Sequence, residues 1–269
     1  MADPIWIGLV VKVVLSVAVV ILGSLAAERA GPLVGGVIGA LPMSAGPAYV
    51  VMALQTDDRF IADGAVGSLV AIIATTVFLV VLARLIARFG LWLSLAAGLA
   101  GWLAAASLLR PMTWSGPGAM IANIVAFGIA ARLIGPRLTE VPPPSVIIDE
   151  RPRLDLLLRG LLVGVLVVAV VVGSRFLGPA TIGMAAVFPI NLTSLVLLIH
   201  PRLGGPATAA TMVGALRAIP GLALALLALH WGAVPLGAPT AMVLALAICL
   251  LWSFGLLAWN ARPLARGTV

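Results

Sequence analysis

Nine runs of about 20 predominantly apolar residues leave this chain almost nothing but membrane spans to fold into. They cover about residues 5–27, 31–55, 62–88, 90–109, 115–135, 155–176, 178–200, 206–231 and 237–259. A helix needs roughly 20 such residues to cross the hydrocarbon core, and inside that core only helices and closed barrels satisfy their own backbone. Runs of this length specify an all-α polytopic membrane protein with nine spans. With 62% hydrophobic and 9% charged residues, little chain remains for a soluble domain. Lys12 lies inside the first run and Asp3 precedes it, so this run is expected to stay as a helix and not be removed as a signal sequence.

The net charge of +7 does not imply a nucleic-acid partner, because the basic residues stand singly at the ends of the apolar runs. Instead they set a topology. With the N-terminus outside, eleven of them (Arg29, Arg84, Arg88, Arg132, Arg137, Arg151, Arg153, Arg159, Arg202, Arg262 and Arg266) fall on cytoplasmic ends, against Lys12, Arg59, Arg110 and Arg175 outside. Cationic loops favour the cytoplasm, so the N-terminus is expected outside and the C-terminus inside. The stretch "GPRLTEVPPPSVIIDERPRLD" is rich in proline and charge and reads as an extended cytoplasmic linker.

That linker separates two parts that match each other. A shift of 147 residues lays "GPLVGGVIGALP" (Gly31 to Pro42) on "GPATIGMAAVFP" (Gly178 to Pro189), pairing Gly31, Pro32, Gly36 and Pro42 without a gap. The same shift pairs Ala62 with Ala209, Gly67 with Gly214 and Gly90 with Gly237, and sets Lys12 against Arg159. The expected organisation is therefore a four-helix unit at 1–110, a connecting transmembrane helix at 111–136, the linker at 137–154 and a second four-helix unit at 155–269. Because five crossings separate the two unit starts, the repeats are inverted, an architecture frequent among secondary transporters.

The second helix of each unit breaks itself. The first carries Pro42, Gly46 and Pro47 with Ser44 and Tyr49 as side-chain donors; the second carries Pro189 followed by Asn191, Thr193 and Ser194. Interrupted helices expose backbone groups that lipid cannot satisfy, and a matched pair is the best pointer to a substrate site near the midplane. A plain packing kink is the competing explanation for the prolines. Arg217 lies about ten residues into its run, roughly 15 Å deep, where a guanidinium costs about 2.5 to 3.5 kcal/mol. It is read as a fixed positive charge for an anion, with snorkelling to the surface as the alternative. Asp63 is a candidate for a coupling proton or for a helix cap. Asn123, in the connecting helix, can bond between helices.

The excluded chemistries are several. Cys249 is alone, and His200 and His230 lie on different segments, so no metal site, cofactor or disulfide is expected. No nucleophile has a base beside it and no pair of carboxylates lies deep in the membrane, so no enzyme is expected either.

Each half, as "KVVLSVAVVILG" leading to "GALPMSAGPAYVVMAL" and as "RGLLVGVLVVAVVVG" leading to "AVFPINLTSLVLLIH", resembles the small four-helix bacterial inner-membrane proteins of the GlpM type. In both, a basic residue early in the first helix precedes a proline-interrupted second helix. The resemblance covers about residues 8–109 and 155–259 and implies a duplicated four-helix unit in a bacterial inner membrane; it carries no activity and no site residue. Together these readings lead to an alternating-access transporter for a small or lipid-linked anion, using Pro42, Ser44, Tyr49, Pro189, Asn191, Thr193, Ser194 and Arg217, with Asp63 as the coupling-ion candidate. Membrane lipids are its surroundings, and a homo-oligomer is compatible with it. The alternative is a membrane scaffold for a larger complex.

Overall fold

The structure is a computed structural model that describes residues 45–135 and 176–261, together with Val37, Val165 and Val172. Those residues are helical or in short connections, and no strand occurs among them. Their helices are α1 (Ala45–Ala53), α2 (Asp58–Leu109), α3 (Gly116–Ile134), α4 (Pro179–Ala186), α5 (Ile190–Leu236) and α6 (Ala238–Ala261). Among the described residues, four helical stretches are long and apolar enough to cross a membrane: Asp58–Leu109, Gly116–Ile134, Pro179–Leu236 and Ala238–Trp259. The run expected at 5–27, the run at 155–176 apart from Val165, Val172 and Phe176, the linker, Pro42 and Ser44 lie outside the described residues.

Two of these stretches are interrupted by glycine. Gly90 has φ 72° and ψ −177°, dividing α2 into arms 58–89 and 91–109. A side chain is strained at such a φ, whereas glycine accepts it. The arms then fold back on each other: the Trp102 indole donates to Thr75 Oγ1 at 3.1 Å, and a Cβ at Gly98 would meet Phe78 and Leu82. Gly237, φ 78°, makes the same kind of reversal between α5 and α6, where Trp252 donates to the Arg217 carbonyl. Gly204, with φ 77° and ψ 178°, similarly separates 190–203 from 205–236 within α5.

Arms 58–89 and 205–236 lie side by side and antiparallel. Asp58 Oδ1 accepts the Ala238 N–H at 2.9 Å at one end, His230 Nδ1 meets the Ala62 carbonyl, and at the far end a Cβ on Gly205 would touch the backbone of Ile86 and Ala87. Both arms carry residues that are almost fully buried, including Ala65, Leu69 and Ile72 on the first and Met212 and Ala215 on the second. α3 runs parallel to 58–89. Asn123 donates to the Leu69 carbonyl at 2.8 Å, and Arg84 donates to the carbonyl of Leu133. These contacts fix two ends of the bundle: one holds Asp58, Arg110, Gly116, His230 and Gly237; the other holds Arg84, Arg88, Arg132, Gly90 and Gly204.

Candidate functional site

The run at 178–200 is divided in the structure. α4 ends at Ala186, Val187 and Pro189 leave helical geometry (φ −100°, ψ 10° and φ −77°, ψ 43°), and α5 begins at Ile190. Proline lacks the N–H that would continue the ladder. The Val187 N–H turns to the Ala185 carbonyl, so the Gly183 carbonyl needs a partner from outside its own helix.

Ser68 supplies it. Its Oγ donates to the Gly183 carbonyl at 2.6 Å, and Tyr49 OH lies 2.7 Å from the same Oγ. A carbonyl can only accept, so the Ser68 proton is committed and Tyr49 must be the donor in the second bond. The chain of bonds runs from Tyr49 through Ser68 to the broken helix. It forms in a dry setting, with Tyr49 and Ser68 both buried. Two glycines allow it: a Cβ on Gly67 would collide with the backbone of Ala180, and one on Gly183 with the backbone of Gly64. Backbones approach this closely in membranes where small residues face each other. Trp102 closes the other side, its ring meeting Phe188 edge-on at a centroid distance of 5.0 Å. Ser68 lies ten residues beyond Asp58, about 15 Å along the helix, which is half of a core about 30 Å thick.

The other residues expected at the site fall as follows. Pro189, Asn191 and Ser194 are buried, and Ser194 Oγ donates to the Asn191 carbonyl at 2.8 Å. Thr193 is half-buried, and its hydroxyl oxygen is a buried atom without a hydrogen-bond partner. Tyr49 also lines an apolar cleft of about 640 Å³ between α1, α5 and α6, bounded by Leu222, Leu226, Met242 and Leu246. Arg217 is exposed on the outward face of arm 205–236 and is not among the residues lining that cleft or the next one.

Asp63 lines a second cleft, of about 430 Å³, at the Asp58 end of the bundle. Its walls come from α2 (Val66, Gly67, Val70, Arg110), the start of α3 (Ser115, Gly116), α4 (Ala180, Met184) and His230 of α5. Gly67 and Ala180 belong both to this wall and to the close crossing, so the cleft abuts the broken helix. Asp57 caps α2 by accepting the Phe60 N–H at 2.7 Å; capping therefore falls to Asp57, and Asp63 is exposed in the cleft. Sequence reasoning passed over Ser68 and His230. Ser68 sits in "GAVGSL", where the small residues signalled close packing but not a partner 115 positions away. His230 carried no spacing signal, because its neighbours in space come from other helices. No metal-binding group of three or more His, Cys, Asp or Glu side chains occurs among the described residues.

No family model, curated protein or solved structure matches the chain.

Proposed function

We propose that this protein is a small membrane transporter built on two inverted repeats, moving a small or lipid-linked anion past its broken helices by alternating access. One observation carries the reading: arms 58–89 and 205–236, whose residues correspond under the 147-residue shift, lie antiparallel in contact, with the helix break at 187–189 held against the first of them at mid-depth. Two copies of one unit entering a bilayer from opposite sides would place equivalent helices in this relation. The glycines at the two reversals, Gly90 and Gly237, are also 147 residues apart and share φ values of 72° and 78°. The GlpM-type resemblance of each half is part of the same reading.

The orientation follows from charge. Arg84, Arg88, Arg132 and Arg202 belong to the end marked by Gly90 and Gly204, which makes that end cytoplasmic, and the Asp63 cleft then opens outward. The anionic character of the substrate is supported by Arg110 in that cleft. Metals and organic cofactors have no part in this reading.

The test needs no knowledge of the substrate. With Cys249 replaced by Ala, a cysteine at Thr193 is expected to react with membrane-impermeant thiol reagents from one side of sealed vesicles, and a cysteine at Met184 from the outer side. Protection of both positions from both sides in a folded protein would favour the scaffold alternative.

A further inference from the structure

The outer cleft brings an acid, a base and an imidazole to one wall-lined space. Of its lining residues, only Asp63, Arg110 and His230 carry or can gain charge. α3 contributes Ser115, Gly116 and Pro117, and α4 contributes Ala180 and Met184, none of them titratable in the working range. At the same end Asp57 accepts the Phe60 N–H, Asp58 accepts the Ala238 N–H and Arg59 is exposed one turn before Asp63; all three are charged but none of them lines the cleft. Asp63 and Arg110 cancel. The net charge of the cleft is therefore zero with His230 neutral and +1 with His230 protonated.

The geometry fixes which nitrogen changes state. His230 Nδ1 lies 2.9 Å from the Ala62 carbonyl oxygen, an acceptor only, so Nδ1 keeps its proton in both charge states. Nε2 is then the ring nitrogen that carries a lone pair. It points to the start of α3, where a Cβ on Gly116 would lie 3.0 Å from Nε2 and 2.6 Å from Cδ2. Glycine at this position lets the start of α3 lie against that edge of the ring, and the half-buried imidazole lines the cleft beside it. Histidine is the side chain whose charge changes in the physiological range.

We infer that the outer cleft binds a small oxyanion together with one proton, with His230 Nε2 as the proton acceptor and Arg110 as the fixed cation for the anion. The inference rests on the transport reading and names its coupling ion. In the binding step the Nε2 lone pair takes a proton from hydronium or the buffer acid, whose conjugate base stays in bulk solvent, the imidazole becomes imidazolium, and the incoming anion restores the cleft to zero. Arg110 presents a planar fork suited to a carboxylate, sulfonate or phosphate. Asp63 is the counter-charge that keeps Arg110 from holding an anion when His230 is neutral. One proton and one monovalent anion then enter as a neutral pair, and a neutral pair avoids moving net charge into a medium where charge is costly.

The test uses the full chain in lipid nanodiscs, with methanesulfonate, which stays ionised over the whole range used, as the probe for pH dependence and proton counting, and acetate, which is partly protonated at about pH 5.5, as a second probe for anion binding. Affinity is read by calorimetry in buffers of different ionisation enthalpy, which also counts protons. Lowering pH from about 8 to about 5.5 is expected to tighten binding about tenfold, the order of effect of one added charge at a partly solvated site, with proton uptake accompanying the anion. His230→Gln retains a donor for the Ala62 carbonyl and should bind weakly at both pH values. Asp63→Asn leaves the cleft at +1 when His230 is neutral and should bind about tenfold more tightly near pH 8. Arg110→Gln should abolish binding, and Arg110→Lys should recover part of it. Melting temperatures of the variants establish that they are folded. Affinity independent of pH, or a pH dependence that survives in His230→Gln, overturns the proton role and leaves anion transport standing. Absence of binding for both probes at both pH values overturns the cleft as an anion site, while the cysteine labelling judges the transport reading separately.

Discussion

Val70 and Arg217 correspond under the 147-residue shift and lie on two antiparallel arms of the same bundle, yet Val70 is buried against the Asp63 cleft and Arg217 is exposed. The difference lies in what covers each arm. α3 packs over the first, with Asn123 bonded to the carbonyls of Leu69 and Ala119 and Gly116 against His230, and so turns that face into one wall of the Asp63 cleft. At Arg217 the outward face stays open, flanked by Trp252, whose indole bonds the Arg217 carbonyl and not its side chain. Helical side chains lean toward their own N-terminus, so Arg217 leans toward Gly204 and the end that carries Arg84, Arg88 and Arg132. The long stem can then follow the apolar surface toward that membrane face. Positions that match in sequence acquire different surroundings once a single further helix covers one of them.

Four substitutions probe this contrast. The largest effect is expected at the crossing that holds the broken helix to the covered arm. Gly67→Val drives a branched side chain into the backbone of Ala180, where neither partner can yield, and should cost more than about 4 kcal/mol; size-exclusion profiles should show loss of folded monomer. A folded, monodisperse Gly67→Val protein would mean that the crossing is looser than described. Next is Trp102→Ala, which removes both the Phe188 ring contact and the bond to Thr75. It should destabilise the protein by about 3 kcal/mol while leaving the helical circular dichroism of the purified protein unchanged at room temperature.

Asn123→Leu should matter less, by about 1 kcal/mol, since bonds between membrane helices are individually modest and Asn123 Oδ1 has no partner to lose. Its melting temperature distinguishes a covering helix held mainly by packing from one held by the amide. The smallest effect is expected on the open face. Arg217→Leu should keep the fold, raise stability by about 1 kcal/mol or less because a guanidinium leaves an apolar surface, and leave methanesulfonate affinity unchanged. Loss of binding in Arg217→Leu would place Arg217 back within the substrate path and erase the distinction between the two faces.

Several of these features were readable from the chain. The Gly-Pro and Pro matches at one fixed shift located the interruption at Pro189, and the ends of the runs at 62–88 and 90–109 and at 206–231 and 237–259 placed connections near Gly90 and Gly237, without showing that these glycines make the reversals. Arm boundaries were legible too: runs at 90–109 and 115–135 correspond to helices at 91–109 and 116–134. The contact partners were not. Tyr49 was recognisable as a donor, but Ser68 as its acceptor, and Gly183 beyond that, required three segments to meet. The depth of Arg217 could be counted along its run, but its direction could not, because a helix apolar nearly all round gives no amphipathic stripe to orient it.

What the sequence determined by itself is the class of structure: long apolar runs force helices across a bilayer, proline removes a backbone donor where one helix must break, and glycine permits the φ at which two helices reverse. These are local consequences of hydrophobicity and backbone sterics, and they act whatever the neighbours are. Only the tertiary structure decided that the Gly183 carbonyl would be satisfied by Ser68, that Asp63, Arg110 and His230 would share one cleft, and that Arg217 would stay outside it. Those outcomes depend on which helices lie against each other, and in hydrocarbon that choice is made by close packing of small residues and by satisfaction of the few polar groups available. Both are properties of surfaces brought together and of no single stretch of chain.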